Sequence, residues 1–205
     1  MKIKWLGHSS FLISSEQGIR IITDPFGRGF LNLPALFWRM NYKETDKEAD
    51  VITISHHHWD HSHWEGVGGK PAVISETGIS EVKGITFKGV PSLHGLHWIV
   101  RKPNIIFCFE VDDQKICHLG DIGYPLNDYQ LSQIGRVDVL FVPVGGFMTV
   151  GPADAIKICQ QLNPRLIIPM HYRNSQCKFP LFSTVEKFYQ NLSKEAFYPC
   201  LIFPI

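Results

Sequence analysis

The sequence predicts an α+β fold in which helices cover β-sheets. The first part of the chain consists of short strand-like runs, whereas the region from residue 127 onward alternates apolar strands with segments of helical spacing. Polar residues also recur at the ends of otherwise apolar strands. Because rigid strands hold ligand groups precisely, these strand ends predict a functional site along one edge of a sheet.

The N-terminal residues predict an antiparallel meander of three strands, over 2–6, 10–14 and 18–23. Asp24-Pro25 ends it, because proline cannot donate to a β-ladder. Residues 26–49 then form a long segment whose aromatic side chains argue against disorder. A short helix packed on the core and a lid over a substrate are both compatible with this segment.

The rest of the chain predicts elements that alternate in type. We expect a hairpin of strands 104–111 and 115–119, strands over 71–75, 84–90, 137–142, 165–170 and 197–203, and helices over 127–134, 152–162 and 183–193. With 205 residues and no internal repeat, residues 1–205 are expected to form a single domain.

Composition excludes several classes of function. A net charge of +1 and the absence of a Lys/Arg cluster argue against a nucleic acid or an acidic membrane surface as partner. No apolar run approaches the length of a bilayer span, and the first residues do not resemble a signal peptide. The five cysteines are widely spaced without a C-x-x-C pair, which favours reduced thiols and a cytoplasmic protein.

The stretch from residue 52 to 61, Ile-Thr-Ile-Ser-His-His-His-Trp-Asp-His, predicts a metal site. It runs from a buried strand into His56-x-His58-x-Asp60-His61. In an extended chain the first three of these side chains share one face, and a turn after Asp60 would let His61 join them. Burying so many ionisable groups at a strand end is costly unless they are paired or bind metal. A terminal His tag is excluded because the run is internal.

The other polar strand ends extend this site. Asp24, His94, Asp121 and His171 each follow a strand-like run, and one sheet edge would bring them to the His-rich stretch. Imidazole and carboxylate suit zinc, manganese or iron, and paired metals about 3.5–4 Å apart are a known hydrolytic arrangement.

The chain resembles the metallo-β-lactamase-fold hydrolases over nearly its whole length. Segments that carry the resemblance are Gly7-His8-Ser9, Thr23-Asp24-Pro25, the H-x-H-x-D-H run, His94, His118-Leu119-Gly120-Asp121 and Pro169-Met170-His171-Tyr172. It is most similar to the branch of small metal-dependent hydrolases that includes L-ascorbate-6-phosphate lactonase. The resemblance implies a four-layer αββα sandwich with two divalent metal ions at one edge. Zinc is the expected metal, with manganese or iron as alternatives.

The resemblance also implies which residues bind metal. His56, His58 and His94 would bind the first ion, Asp60, His61 and His171 the second, and Asp121 would bridge both. The function it implies is hydrolysis of an ester, lactone or phosphodiester bond in a small molecule by a hydroxide bridging two metals, with Asp60 and Asp121 as catalytic residues. A di-iron redox protein and a nucleic-acid-processing hydrolase on the same fold are the alternatives. Neither the substrate nor the oligomeric state follows from the sequence.

Several residues near these motifs have open roles. Each metal-binding histidine is expected to donate its other ring N–H to an oxygen, and Asp24 is the candidate acceptor, with a strand-terminating turn as the alternative. His8 could serve a tight turn or the pocket, and Tyr172 could donate to an oxyanion or pack in the core. For His118 we expect a structural role. Surface or structural positions are expected for the remaining histidines, His57, His63 and His97.

Overall fold

Two β-sheets face each other, and the α-helices in the described residues pack on the outer face of one of them. The structure, a computed structural model, describes residues 1–27, 40–42, 48–95, 101–194 and the backbone of 201–202. The expected lid or helix over 26–49 falls almost entirely outside the described residues, as do His97 and Cys200.

The first sheet has five strands in sequence order: β1 Lys2–Gly7, β2 Ser10–Ser14, β3 Arg20–Thr23, β4 Val51–Thr53 and β5 Ala72–Ile74. The predicted antiparallel meander of β1, β2 and β3 is confirmed. β4 and β5 then pair in parallel beyond β3. As a result, β1, β3 and β4 all run in the same direction and their carboxyl ends lie at the same edge.

The second sheet has seven strands in the order β12-β11-β10-β9-β8-β7-β6. Antiparallel pairing joins β6 to β9 in succession, and parallel pairing joins β9 to β12. Consequently β7, β9 and β11 share one direction. The strands are β6 Gly78–Val82, β7 Ile85–His94, β8 Lys102–Val111, β9 Gln114–His118, β10 Val139–Pro143, β11 Leu166–Met170 and β12 Leu201–Ile202.

In the part of the chain that the structure describes, three α-helices pack on the outer face of the seven-stranded sheet: α1 Asp128–Ile134, α2 Pro152–Leu162 and α3 Val185–Lys194. Asn127 caps α1 through a capping box with Gln130, and Pro152 occupies the first turn of α2, where a missing N–H costs nothing. A 3-10 turn at Trp64–Gly66 lies on the surface.

Alternating side chains build the core in three layers. In β10, Leu140 faces the helices and Phe141 faces the other sheet, and in β3, Ile21 faces inward while Ile22 faces outward. Phenylalanines dominate the layer between the sheets, where Phe11 and Phe141 lie 4.4 Å apart between ring centroids. The outer face of the five-stranded sheet is covered, within the described residues, by loop side chains that include Met40, Tyr42 and Phe182.

Two elements differ from the sequence expectations. β6 was not predicted, because it is an edge strand whose side chains are exposed or half-buried and give no apolar signal. β7 continues through Pro91 to His94 instead of ending at 90. Pro91 is tolerated there because β6 pairs only as far as Gly89, so that beyond it β7 pairs with β8 alone.

Candidate metal centre

Strands of common direction bring the polar residues to one edge. His8 follows β1, Asp24 follows β3, and the His-rich run follows β4 in the first sheet. In the second sheet His94 ends β7, while Asp121 and His171 follow β9 and β11. The same edge of both sheets therefore carries every ligand expected from the sequence.

The His-rich run is a loop and not an extended strand. β4 ends at Thr53, and the backbone N–H of His61 donates to His58 O at 2.9 Å, which closes a turn over these residues. The expectation that Asp60 shares a face with His56 and His58 is therefore wrong, because the turn carries Asp60 into a different group of donors.

A first group of donors consists of His56, His58 and His94, each with one ligand atom within 4.8 Å of the others. His56 Nε2 lies 3.1 Å from His58 Nδ1, and the ring of His94 is 4.5 Å from that of His56. This is the trio expected to bind the first metal.

A second group contains the three expected residues Asp60, His61 and His171, and His8 in addition. Asp60 Oδ2 lies 3.7 Å from His61 Nε2 and 3.4 Å from His8 Nε2. All four side chains are buried. The sequence left the role of His8 open between a turn and the pocket, and the structure places its backbone in a turn and its ring among the donors of the second group.

Asp121 lies between the two groups. Its Oδ1 is 3.3 Å from His61 Nε2, and its Oδ2 is 3.2 Å from His171 Nε2 and 3.7 Å from His56 Nε2. Asn104 Oδ1 fixes the backbone by accepting from the Asp121 N–H at 2.9 Å. One carboxylate therefore contacts a histidine of the first group and two of the second.

Asp24 supports both groups from behind. One of its carboxylate oxygens, Oδ2, accepts from His61 Nδ1 at 2.8 Å and from Ser55 Oγ at 2.6 Å, while Oδ1 accepts from the Ser55 N–H at 2.7 Å. Ser55 Oγ in turn lies 3.0 Å from His56 Nδ1. A single buried carboxylate thus orients one histidine of each group, directly for His61 and through Ser55 for His56.

Some histidines of the cluster lack a hydrogen-bond partner on the outer ring nitrogen in the described structure. Among the described residues, the Nδ1 atoms of His94 and His171 have no hydrogen-bond partner. The expectation that every binding histidine donates to an oxygen is met for His61 by Asp24, and His56 has the Ser55 hydroxyl at its Nδ1.

Burial and charge set the protonation of the cluster. Burial would lower the pKa of His61, but Asp121 and Asp60 outweigh it and hold that pKa well above its ordinary value. Burial would likewise raise the pKa of Asp121, yet His171 and His61 keep it well below its ordinary value. For His56 burial prevails and lowers the pKa to about 3, and for His8 and His94 to about 4.

The cluster fits a metal site. Among the described residues, His8 Nε2, His61 Nε2 and Asp121 Oδ1 are buried without a well-formed hydrogen bond, and each lies 3.3–3.4 Å from another donor of the cluster. A buried polar atom without a partner costs about 1–3 kcal/mol, which a bound cation would offset. Imidazoles and carboxylates are the donors that zinc, iron and manganese accept.

Other candidate residues lie outside the cluster. Tyr172 stacks on Trp5 with ring centroids 5.8 Å apart and belongs to the core, which agrees with the second of its two expected roles, packing in the core. His118 places Nε2 2.9 Å from Ser9 O, and its Nδ1 accepts from the Gly120 N–H, so its contacts are structural. His57 and His63 are exposed.

Three supporting residues escaped sequence reasoning. Ser55 and Asn104 hold ligands by hydrogen bonds, and Lys102 lies with Nζ 3.4 Å from His58 Nε2. Ser55 adjoins the His-rich run, so its proximity was a usable signal. Asn104 and Lys102 sit on β8 and reach the site only through the pairing of β8 with β7, in which Lys102 lies opposite His94.

Two mixed sheets with a His/Asp cluster at one edge define the class of metallo-β-lactamase-fold proteins. The family described as "Beta-lactamase superfamily domain" matches residues 2–171, and the chain belongs to this family. The predicted fold is confirmed. None of the helices in the described part of the chain is long and apolar enough to cross a membrane.

Individual relatives show which kind of protein within this family the chain is similar to. A Thermotoga maritima protein, described as a Zn-dependent hydrolase of the metallo-β-lactamase superfamily, is 38% identical, covers 92% of this chain and 84% of its own, and superimposes with a TM-score of 0.72. A UPF0173 metal-dependent hydrolase of Pyrococcus abyssi is 31% identical over 84% of both chains. One from Archaeoglobus fulgidus is 28% identical, over 88% of this chain and 85% of its own. These relatives place the protein among the metal-dependent hydrolases.

Proposed function

We propose that the protein is a two-metal hydrolase that cleaves an ester, lactone or phosphodiester bond in a small molecule. The observation that carries this proposal is the pair of adjacent donor groups with Asp121 between them, in contact with His56, His61 and His171. A single carboxylate in contact with both groups is what a bridging ligand requires.

His56, His58 and His94 would hold one ion, Asp60, His61 and His171 the other, and Asp121 both. When bound, two divalent cations supply a water whose pKa falls towards about 7 and polarise the carbonyl or phosphoryl group under attack. Zinc is our first choice for both positions because imidazoles dominate the donor set, with manganese or iron as alternatives.

The carboxylates of the chain orient the attack. Burial opposes ionisation of Asp60, but His61 and His8 outweigh it, so its pKa stays below the ordinary value. Asp60 and Asp121 are therefore both ionised, and their oxygens would orient the attacking water by accepting its hydrogen bonds. Asp24 keeps the rings of His56 and His61 in place during the attack through the contacts described above.

The unpaired cysteine thiols support a cytoplasmic location. The four described cysteines, Cys108, Cys117, Cys159 and Cys177, are unpaired. Burial raises the pKa of Cys159 to about 12 and that of Cys177 to about 11, which keeps these two in the unreactive thiol form.

Metal analysis tests the proposal first. We expect purified protein reconstituted with zinc, manganese or iron to hold two ions per chain, by elemental analysis after removal of free metal. A panel of lactones, carboxylic esters and phosphodiesters should then reveal turnover with at least one loading. Less than one ion per chain after reconstitution would refute the proposal. Two irons with visible absorption that changes on reduction, and no hydrolysis, would favour a di-iron redox protein instead.

Lys102 indicates the kind of substrate. It is exposed, borders a cavity of about 280 Å³ with His56, His58 and His94, and among the described residues has no carboxylate within ion-pair distance. A cation beside a metal site suits a substrate that carries an anionic group near the scissile bond. We therefore favour anionic small molecules within the panel.

Lys102→Ala should raise KM about ten-fold for an anionic substrate of the panel and leave kcat within about two-fold, because it removes binding shared by ground and transition states. A neutral substrate of the same bond type should show no change. Lys88→Ala, a lysine of the neighbouring strand whose Nζ contacts Gln133 O, is the control. An equal effect on neutral and anionic substrates would contradict the assignment.

A further inference from the structure

His8 is buried in a way that its local surroundings do not explain. Its side chain has no exposed surface, and among the described residues neither Nδ1 nor Nε2 has a well-formed hydrogen bond, although Nε2 lies 3.4 Å from the Asp60 carboxylate. Most buried ring nitrogens in proteins have a partner, and one without costs about 1–3 kcal/mol. A cation between His8 Nε2 and the Asp60 carboxylate would supply a stronger interaction for both groups.

The backbone of His8 is built to aim this ring. Its φ is +52°, in the left-handed region, and the preceding Gly7 has φ +125°. A Cβ at Gly7 would lie 2.4 Å from the Tyr42 ring, so only glycine permits this approach. Trp5 Nε1 donates to His8 O at 3.0 Å and holds the turn. Left-handed histidine costs about 1–3 kcal/mol, and such strain is concentrated at functional sites.

The ring points at the second donor group. His8 Nε2 lies 3.4 Å from Asp60 Oδ2, and the His8 ring lies 4.1 Å from that of His171 and 5.3 Å from that of His61. Ligands of a tetrahedral zinc, at 2.0–2.1 Å from the ion, are separated from one another by about 3.3 Å. The spacing between His8 and Asp60 therefore matches two ligands of one ion.

We propose that His8 is a direct ligand of the second metal, which is then held by the imidazoles of His8, His61 and His171 and the carboxylate of Asp60. This inference rests on the proposed two-metal site. With His8 as a ligand, each ion would have three imidazoles of its own. The second ion would then have four donors without Asp121, and Asp121 would be an additional ligand. A hydrogen bond from His8 to Asp60 is the competing role, and the test separates the two.

Two substitutions of His8 discriminate between these roles. His8→Asn keeps a side chain that tolerates the left-handed backbone but removes the imidazole. His8→Gln retains an N–H that can donate to Asp60 and also removes the imidazole. If His8 is a ligand, both variants should bind the second zinc about 10–1000-fold more weakly than wild type, measured by competition with a chromophoric chelator, and bind the first zinc normally. Retention of the first ion shows that the variants are folded.

Cobalt spectra and rescue supply independent readouts. The visible absorption of the cobalt-loaded protein should lose intensity from the second site in both variants. In His8→Gly, which suits the left-handed backbone, added free imidazole should restore binding of the second ion. The control is His57→Gln, which removes an exposed imidazole from the His-rich run. It should leave the affinities for both zinc ions and the cobalt spectrum unchanged.

Each result decides one level of the proposal. Wild-type affinity for the second zinc in His8→Gln, with loss in His8→Asn, would overturn the ligand role in favour of a hydrogen bond to Asp60. Wild-type affinity in both variants would overturn any role of His8 in metal binding and leave the two-metal proposal intact. A wild-type protein that binds fewer than two ions would overturn the two-metal proposal, and this inference with it.

Discussion

Asp121→Ala is expected to lower kcat by about a thousand-fold or more on any substrate that the wild-type enzyme hydrolyses, which corresponds to a loss of about 4 kcal/mol of transition-state stabilisation. Asp121 is buried and contacts histidines of both donor groups. Its removal takes one negative charge from the centre of the cluster. It also removes the direct carboxylate contacts to His56 in the first group and to His61 and His171 in the second. Steady-state kinetics on metal-reconstituted protein measure the effect.

Asp121→Asn and Asp128→Ala complete this experiment. The asparagine keeps the volume and loses the charge, so it should be nearly as inactive as alanine. Asp128 is an exposed carboxylate in the first turn of α1, and its replacement should leave kcat within about two-fold. If Asp121→Ala turned over at a rate near wild type, the active site would have to lie elsewhere in the molecule.

The convergence of the candidate ligands could be predicted from the sequence because each one, or the short run that contains it, follows an apolar strand. His94, Asp121 and His171 are separated in sequence, but their strands share a direction in one sheet, and this brings the carboxyl ends together. The apolar period also predicted α2 at its exact bounds, Pro152–Leu162, since Pro152 and Pro164 mark where a helix can begin and cannot continue.

The details that the sequence analysis got wrong, left open or missed all depend on conformations that periodicity does not encode. Side-chain alternation placed Asp60 with His56 and His58, but β4 stops at Thr53 and a turn follows. The pocket position of His8 depends on a left-handed backbone after Gly7, and the reach of Asn104 and Lys102 depends on the register between β7 and β8. Register and turn geometry depend on tertiary packing, and the local pattern of one sequence does not show them.

Asp24→Ala is expected to lower the free energy of unfolding of the metal-free protein by about 3–5 kcal/mol, because it breaks a buried carboxylate–histidine pair and leaves donors unsatisfied. The carboxylate accepts from His61 Nδ1, Ser55 Oγ and the Ser55 N–H, and it has no exposed surface. Burial would raise the pKa of Asp24, but the hydrogen bond from His61 and nearby histidines hold it below its ordinary value, so the ionised form is the native one. Urea denaturation followed by circular dichroism measures the loss.

The same change should weaken metal binding about 10–100-fold, because the rings of His56 and His61 lose the group that orients them. Asp138→Ala is the matched control. Asp138 is also a buried carboxylate, accepting from the Lys115 N–H at 3.0 Å and from Arg136 at 2.8 Å, but it lies at the start of β10, away from the cluster. Its loss should destabilise the fold and leave metal affinity unchanged. If Asp24→Ala and Asp138→Ala reduced stability alike and neither altered metal affinity, Asp24 would be a structural residue only, and the link through Ser55 would have no functional role.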